Sequence, residues 1–363
     1  MSRVSVAILG ATGLVSQRMQ QRLSLHPWFE LSAVAGQSFG GKLSDVQWHL
    51  EQVRPEFISE SNIVIKNINS AILAKEFVNE GIKIVFSALP RQPALGIEKQ
   101  LVDAGLHVFS NASAYRMHPD VPLVVADLNP DDLYTPPLNR GMHACATNCT
   151  LIPLIHPLSL LNKRFDIAKV IVRSEQALSG AGWKLLHEQP LRERAIGKEI
   201  EGEAQKIIEE AERILAINDV VWDVRCTRVD EQDGHIVNVE VHLDNKITYD
   251  EVMSTLSSSN PSLPLPSQPI HAMELIDTQP FRKQFLWNGQ TMEPLQPSKD
   301  LKAGMTTSVQ LQSVEDGCLV FSALSHNTIR GAAGGVVLLA ELAVYNNMLA
   351  SVDINPSSSP LES

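Results

Sequence analysis

The chain has 363 residues, which at roughly 150 residues per domain is enough for two domains. Apolar residues make up 44% of it and charged residues 20%, a composition typical of globular proteins that excludes a disordered or fibrous chain. The formal net charge of −11 repels a phosphate backbone, and no basic patch interrupts it, so we expect no nucleic-acid partner.

The N-terminus enters a strand-like run at Val4–Leu9 at once and lacks the regions of a signal peptide. The longest apolar run, residues 331–340, is about half of the roughly 20 residues that a membrane span needs. The four cysteines are irregularly spaced without a CxxC pair, so they predict neither a disulfide framework nor a structural zinc site. We expect a cytoplasmic protein with free thiols, no membrane contact and no metal.

The first 130 residues alternate short apolar runs with segments of helical spacing. The predicted strands are Val4–Leu9, 31–35, 63–65, 82–86, 108–109 and 123–125. The predicted helices are 16–25, 70–80 and 94–104. This alternation predicts a parallel sheet of βαβ units, whose strands are covered on both faces.

The pattern changes near residue 168. Runs at 168–175, 222–228 and 235–243 alternate apolar with polar residues, as in an antiparallel sheet with one solvated face. Four prolines and five serines predict a loop over 257–269. A helix is predicted over 330–349 and a disordered tail over 351–363.

These patterns predict an α/β fold class: a Rossmann-type doubly wound parallel sheet plus a second α+β domain with a mostly antiparallel sheet. The first predicted domain consists of 1–148 together with 328–350 and binds a dinucleotide. The second consists of 149–327, and the tail is 351–363.

A glycine-rich loop follows the first strand. It reads GATGLVS from Gly10 to Ser16 and leads into a helical pattern. Gly10 and Gly13 let the backbone turn sharply and approach a pyrophosphate at the helix N-terminus. The spacing is GxxGxxS rather than GxGxxG, so a strand-to-helix turn without a ligand stays an alternative.

The end of the second strand predicts the choice of cofactor. It reads AGQS up to Ser38, and the next charged residue is Lys42. A carboxylate at this place would bond the ribose 2′-hydroxyl of NAD. Glu30 lies about 20 residues after the loop, but at the start of the strand rather than its end. NADP is therefore favoured.

Cys149 is the candidate nucleophile. It precedes an apolar, helix-like run, and Asn148 or Thr147 as the cap would leave Cys149 in the first turn, where the helix dipole lowers a thiol pKa. Amides at this helix start are candidate oxyanion donors. A small buried cysteine that merely packs is the alternative, and Cys145 is the weaker candidate.

A thiol nucleophile needs a proton donor and acceptor, for which His235 is the candidate because a Gly-His step begins its strand. A histidine that simply ends a strand is the alternative. Two small-residue segments, QALSGAG at 176–182 and NTIRGAAG at 327–334, permit close approach to a ligand.

Together these motifs resemble the aspartate-semialdehyde dehydrogenase family, in its archaeal and fungal branch. The resemblance covers about residues 4–349. It rests on ATGLV, HPWFEL, SNASAYRMHPDVPLV, NCT before a helix, QALSGAG, IEGEAQKI, RVDEQDGH and HNTIRGAAGG.

The resemblance implies roles for individual residues. The implied catalytic residues are Cys149 as nucleophile and His235 as acid/base. The implied substrate-binding residues are Arg116, Asn148, Gln176, Glu203, Lys206 and Arg228. The implied cofactor-binding residues are Gly10, Ala11, Thr12, Gly13, Leu14, Val15, Ser38, Lys42, Ser87, Ser179, Gly180, Gly182 and Asn327. Three residues depart from the family pattern: Ser16, Ala204 and Asp230.

The resemblance implies NADPH-dependent reduction of L-4-aspartyl phosphate to L-aspartate 4-semialdehyde through a cysteine thioester, in the aspartate pathway to lysine, threonine and methionine. It also implies a small anionic substrate and a homodimer or homotetramer. Two alternatives remain: a malonyl-CoA reductase with the same cysteine and histidine chemistry, and a catalytically silent NADP-binding sensor.

Overall fold

The structure is a computed structural model that describes residues 3–137, 139–258, 263–350 and 352. Its first sheet has six parallel strands in the order β3-β2-β1-β4-β5-β6. The strands are β1 (Val4–Leu9), β2 (Phe29–Gly36), β3 (Lys66–Asn67), β4 (Ile84–Ser87), β5 (His107–Ser110) and β6 (His143–Cys145). The strand order reverses at β1 and β4, as in a doubly wound sheet, which confirms the predicted fold class.

Helices cover both faces of this sheet. The helices of the chain are α1 (Leu14–Leu23), α2 (Glu56–Ser59), α3 (Leu73–Asn79), α4 (Arg91–Asp103), α5 (Leu151–Asn162), α6 (Trp183–His187), α7 (Gln189–Ala195), α8 (Glu203–Leu215), α9 (Tyr249–Leu256), α10 (Arg282–Phe285) and α11 (Gly334–Tyr345). Val6 and Ile8 pack with α1 and α11, and Ala7 on the opposite face packs with α3 and α4. This double burial is why the strands are apolar throughout.

The second sheet also has six strands, in the order β10-β11-β12-β9-β7-β8. They are β7 (Ile167–Gln176), β8 (Val221–Arg228), β9 (His235–Leu243), β10 (Met273–Leu275), β11 (Thr307–Glu315) and β12 (Cys318–Ser325). The sheet is mixed: β11, β12, β9 and β7 pair antiparallel, as predicted. The expectation that the run at 222–228 pairs antiparallel is wrong, because α8 crosses over between β7 and β8 and leaves them parallel.

Two predicted strands differ from the structure. Residues 63–65 form only an isolated bridge, Lys42 with Val64, and the strand β3 begins at Lys66. Residues 123–125 form a single bridge between Leu123 and Cys145. Pro122 has no N–H to donate, so the ladder beside β6 does not extend.

The C-terminal part returns to the first sheet. The predicted helix at 330–349 is divided into a π-helical turn, Ile329–Ala333, and α11, which packs into the core of the first sheet. The loop predicted at 257–269 has no helix or strand in its described residues, and the predicted tail at 351–363 lies outside the described residues except Val352. The domain boundaries at 148 and 328 stay a prediction. Across the ranges described here, no helix combines the length and apolar character needed to cross a bilayer.

A buried polar cluster joins the π-helical turn to α5. Arg330 Nη2 donates to both carboxylate oxygens of Asp127, at 2.5 and 2.6 Å, and His156 Nε2 lies 3.2 Å from Asp127 Oδ1. Although burial alone would raise the pKa of Asp127, the Arg330 and His156 partners outweigh it and hold that pKa well below its usual value. Asp127 is therefore ionised in the folded protein.

We predict that Asp127→Asn lowers the free energy of unfolding by about 3–5 kcal/mol at pH 7, because it leaves Arg330 buried without its counter-charge. The folded pKa is depressed, so the Asp127 contribution is present above the reference value of 3.8 and shrinks as the pH falls below it. Urea unfolding at pH 7 and pH 3 measures both effects. Asp223→Asn is the matched control, since its ion pair with Arg173 is exposed and worth about 0–1 kcal/mol. Equal losses for the two variants would contradict the prediction.

Candidate active site

The glycine loop joins β1 to α1. Gly10 has a φ of +93°, and a Cβ there would lie 3.0 Å from the Ala88 carbonyl oxygen, so only glycine fits this turn. Gly13 is the N-cap of α1, which leaves the first-turn amides without intrahelical partners. Ser16 is buried and accepts a bond from the Gln20 side chain, so a serine fills the place of the last glycine without disturbing the helix.

A cavity of about 470 Å³ opens beside this loop. It brings together Thr12, Ser38 and Lys42, three of the predicted cofactor residues. Asp45 also lines it, and the Arg54 guanidinium lies within electrostatic reach of that carboxylate. Of the other predicted cofactor residues near the loop, Ala11 and Leu14 have buried side chains, Val15 is partly buried, and Ser87 has a buried hydroxyl without a hydrogen-bond partner among the described residues. The glycine cradle and the unpaired Ser87 hydroxyl fit a dinucleotide.

Cys149 lies in a turn between β6 and α5. The Thr150 N–H donates to Asn148 Oδ1 at 2.7 Å, and the Leu151 N–H donates to the Asn148 carbonyl at 3.1 Å. The helix begins only at Leu151, so the expectation that Cys149 lies in its first turn is wrong. Both amides are already bonded to Asn148, and the expectation that amides at this helix start act as oxyanion donors stays a prediction.

The expected lowering of the Cys149 pKa is also wrong. Part of the Cys149 surface is accessible to solvent. The thiol is nevertheless closely surrounded by protein atoms, and this burial, followed by the Glu203 carboxylate, raises its pKa to about 11. Arg116 and Arg228 act in the opposite direction and do not overcome burial. In the ligand-free protein at neutral pH, Cys149 is therefore a thiol.

Arg116 is buried close to Cys149. Its Nη1 lies 3.0 Å from Glu210 Oε1, its Nη2 donates to the Asn111 carbonyl at 2.7 Å, and its Nε has no partner in the described part of the chain. The second Glu210 oxygen accepts the Asn148 N–H at 2.6 Å. Glu210 thus joins the arginine to the nucleophile turn. Sequence reasoning missed Glu210, although it follows Glu203 by seven residues on one face of α8.

Glu203 and Lys206 share that helix face. Glu203 Oε1 accepts a bond from Asn148 Nδ2 at 2.8 Å, and Lys206 Nζ lies 3.3 Å from Glu203 Oε2. The Lys206 side chain is 44% exposed, whereas the Glu203 side chain is 12% exposed. The carboxylate is fixed, and the half-exposed ammonium keeps a side on which an anion could approach. Ala204 does not alter this pair.

His235 and Arg228 lie under the turn that follows β7. The Ala177 N–H donates to His235 Nδ1 at 3.1 Å, and Arg228 Nη1 donates to the Ala177 carbonyl at 2.7 Å. A Cβ on Gly180 would lie 3.1 Å from both His235 Nε2 and Arg228 Nη1, so this turn needs glycine to cover them. Burial, followed by Arg228 and Arg282, lowers the pKa of His235 to about 3. The imidazole is neutral, and since Nδ1 accepts a bond, its proton is on Nε2.

Asn327 connects this histidine to the neighbouring turn. Its Oδ1 accepts the Gly234 N–H at 2.7 Å, and its Nδ2 donates to Ser179 Oγ at 2.8 Å. Gly182, with a φ of +88°, ends the turn. Gln176 is buried at the end of β7, paired in register with Arg228. Among the departures from the family pattern, Asp230 pairs with Arg192 at the surface.

The π-helical turn closes the other side of Cys149. A Cβ on Gly331 would lie 2.7 Å from the Cβ of Cys149 and 2.9 Å from its Cα. Non-bonded carbon atoms do not approach each other this closely, so Gly331 is required for this packing. The two segments are far apart in the sequence, and the small residues of RGAAGG were the one signal of close packing here.

Comparisons with known proteins show which family the chain resembles. A family model described as the semialdehyde dehydrogenase NAD-binding domain matches residues 5–135. The aspartate-semialdehyde dehydrogenase of Archaeoglobus fulgidus is 33% identical over 370 aligned residues, which cover 96% of this chain and all of that one. The malonyl CoA reductase (NADP) of Metallosphaera sedula is 27% identical, with 94% of this chain and 97% of that one covered.

A solved structure extends the likeness to the whole fold. The crystal structure of aspartate semialdehyde dehydrogenase with NADP from Candida albicans is 28% identical, covers 96% of this chain and all of its own, and has a TM-score of 0.75.

We predict that the rate of Cys149 alkylation by iodoacetamide in the ligand-free protein rises about tenfold per pH unit from pH 7 to pH 10. The folded pKa of about 11 is raised, so the thiolate fraction grows throughout this range. Mass spectrometry of the labelled peptide over time measures the rate. A plateau at or below pH 8 would contradict the raised pKa.

We predict that Gly331→Ala lowers the turnover number about a hundredfold or more, because the added methyl displaces Cys149 by about an ångström. NADPH binding, measured by fluorescence titration, stays within about twofold, since the atoms nearest to the added Cβ all belong to Cys149. Gly96→Ala in α4 is the control, as no atom lies within 4 Å of the added Cβ. A Gly331→Ala enzyme of normal activity would refute the packing argument.

Proposed function

The chain belongs to the aspartate-semialdehyde dehydrogenase family, and we propose that the residues around Cys149 carry out its reaction in this protein. That reaction is the reversible, NADPH-dependent reduction of L-4-aspartyl phosphate to L-aspartate 4-semialdehyde. The observation that carries the proposal is the convergence of Arg116, Glu203 and Arg228 on one cysteine thiol, with a neutral histidine beside Arg228 under the turn of Gly180.

The first step forms a thioester. Cys149 Sγ attacks the acyl carbon, the carbon–oxygen bond to the phosphate breaks, and the phosphate leaves with the proton of the thiol. The buried, unpaired Nε of Arg116 and the partly exposed Lys206 ammonium are proposed to hold the phosphate. Splitting phosphate expulsion from reduction gives two easier steps than a single displacement.

The substrate amino acid needs one anionic and one cationic partner. We assign the amino group to Glu203, whose carboxylate is fixed by Asn148, and the α-carboxylate to Arg228, whose guanidinium is fixed by the Ala177 carbonyl. Gln176, beside Arg228 in register, is assigned to the acyl intermediate. A CoA thioester has no amino group for Glu203 to bind, which favours the amino-acid substrate over malonyl-CoA.

The second step reduces the thioester. NADPH supplies the hydride, and Thr12, Ser38, Lys42, Ser179 and Asn327 are among the residues proposed to hold it. His235 Nε2 carries a proton and has no hydrogen-bond partner among the described residues, so it is placed to donate a hydrogen bond to the oxygen of the reduced intermediate. The carbon–sulfur bond of that intermediate then breaks, which releases the aldehyde, and Cys149 Sγ takes up a proton from the solvent.

We also propose that the protein is a homodimer or homotetramer, as the family resemblance implies. The surface that such an assembly would bury is the outer face of the second sheet, opposite α5 and α8. A cytoplasmic location likewise stays a prediction.

We predict that the purified protein forms NADPH from aspartate semialdehyde, phosphate and NADP+, and that Cys149→Ser lowers this rate by at least about 10³-fold while NADP binding persists. Absorbance at the NADPH band and fluorescence titration measure the two effects. Cys145→Ser is the control: Cys145 is fully buried in the first sheet, and burial raises its pKa far above the neutral range.

Three outcomes would contradict the proposal. Turnover of malonyl-CoA without turnover of aspartate semialdehyde would favour the reductase alternative. NADP binding without either activity would favour a silent sensor. Loss of activity in Cys145→Ser with a normal Cys149→Ser enzyme would overturn the choice of nucleophile.

A further inference from the structure

Three side chains that can bind a metal converge on the outer face of the second sheet. They are Glu240 and His242, near the end of β9, and Cys318, which begins β12. The carboxylate oxygen, the imidazole nitrogen and the thiol sulfur all lie within 4.8 Å of one another. Across the described ranges of the chain, no other three histidine, cysteine, aspartate or glutamate side chains meet in this way. The proposed reaction uses none of the three.

The pairing of two strands produces this convergence. Glu240 and His242 are two residues apart on β9, so their side chains point to the same face of the sheet. Cys318 pairs with His242 in the antiparallel register of β12 and β9, which places their side chains next to each other. Val241 and Leu319, on the opposite face, are fully buried in the core of the second sheet. The backbone hydrogen bonds of the sheet therefore determine where the three ligands lie.

The Glu240 carboxylate interacts with both of the other groups. His242 Nε2 lies 2.5 Å from Glu240 Oε1, and burial, followed by Glu240 and Glu315, raises the pKa of the Cys318 thiol. Glu315 pairs with Cys318 from β11, and Lys169 pairs with His242 from β7. Two carboxylates thus act on the thiol, against one ammonium beside the histidine. This excess of negative charge near the sulfur favours a bound cation.

The distances suit a tetrahedral zinc ion. Bonds of about 2.0–2.3 Å from zinc to nitrogen, oxygen and sulfur place the ligand atoms about 3.3–3.8 Å apart. In the structure His242 Nε2 and Glu240 Oε1 are 2.5 Å apart, and no two ligand atoms of the set are more than 4.8 Å apart. Rotation of the side chains reaches the required values without movement of a strand. The His242 and Glu240 side chains are 38% and 40% exposed, which leaves room for a water molecule in the fourth position.

We propose that Glu240, His242 and Cys318 bind one zinc ion per chain. Thiolate and imidazole ligands select zinc over magnesium and calcium, which prefer oxygen ligands. On binding, the thiol proton passes to the solvent and a zinc–sulfur bond forms, so that one thiolate and one carboxylate balance the charge of the ion. The cysteine spacing in the sequence predicted no metal. The proposal revises that expectation, since ligands from two strands come together only in the folded sheet.

The role of the ion is structural. His235 begins β9, roughly 16–23 Å along the strand from the zinc ligands at about 3.3 Å per residue, and its side chain lies on the buried face. The ion joins the end of β9 to the start of β12. In the assembly proposed above, a second copy would cover this face of the sheet. All three ligands come from one chain, so zinc binding does not depend on that assembly.

Cobalt titration of the untagged, full-length protein, stripped of metal with EDTA and kept reduced, tests the site. We expect one equivalent of Co²⁺ to bind per chain and to produce a near-ultraviolet band from thiolate-to-cobalt charge transfer, which one equivalent of Zn²⁺ removes. Zn²⁺ also raises the midpoint of thermal unfolding, since it binds the folded chain. Cys318→Ser and His242→Ala each remove the band. Each also lowers the zinc affinity, measured by competition with a chelating dye, by at least about a hundredfold.

Cys149→Ser is the matched control, because Cys149 is the other partly exposed cysteine, and this variant should keep the band. Cys318→Ser replaces one atom of a partly exposed side chain, so loss of the band there does not come from unfolding. Absence of the band in the unmodified protein overturns the zinc site. A band that survives in Cys318→Ser also overturns it, and so does loss of the band in Cys149→Ser, which would assign the metal to the catalytic thiol.

Discussion

The contact between Gly331 and Cys149 is the constraint on which the site depends. The π-helical turn follows β12 of the second sheet and leads into α11, which is in the core of the first sheet. Pressing the nucleophile against this turn leaves no room for any side chain at residue 331. Arg330, buried on Asp127, fixes the turn from behind. The place of Cys149 is thus determined by both halves of the fold together.

A second buried contact relates the helix after the glycine loop to the strand of His235. Arg18 in α1 lies 3.2 Å from Asp233, two residues before His235, and Thr328 bonds both of them. Sequence reasoning gave Arg18 and Asp233 no role. Because a charge buried with its partner is costly to separate, α1 and the strand of His235 are held as one unit.

Local patterns were sufficient to predict β1, β2, β4 and β5 of the first sheet, because these strands alternate with helices at the spacing that each needs for burial, but they missed the short edge strands β3 and β6. The family resemblance also indicated Cys149, Glu203, Arg116 and Arg228 as residues of one site, although the roles of these residues stay a prediction. The pKa of Cys149 was predicted to be lowered, whereas it is raised. The residues that bury the thiol come from segments far away in the chain, and a local rule on helix starts does not include them. Glu210 was missed for the same reason: its partner Arg116 is 94 residues away. β8 runs parallel to β7 because α8 crosses over between them. The alternation of apolar and polar residues within a strand does not indicate the direction of that strand.

Several buried polar atoms at the site have no partner among the described residues, namely Arg116 Nε, His235 Nε2 and Ser87 Oγ. Leaving such a group unpaired costs about 1–3 kcal/mol, and a ligand that supplies the partner recovers this free energy. A ligand of similar size without an acceptor at the right place leaves the group unpaired and is rejected. We therefore expect ligand selection to depend on these buried polar atoms as much as on charged groups. The same argument explains why a chain with a net charge of −11 can bind anions, since a few fixed donors inside a cleft outweigh the charge of the surface.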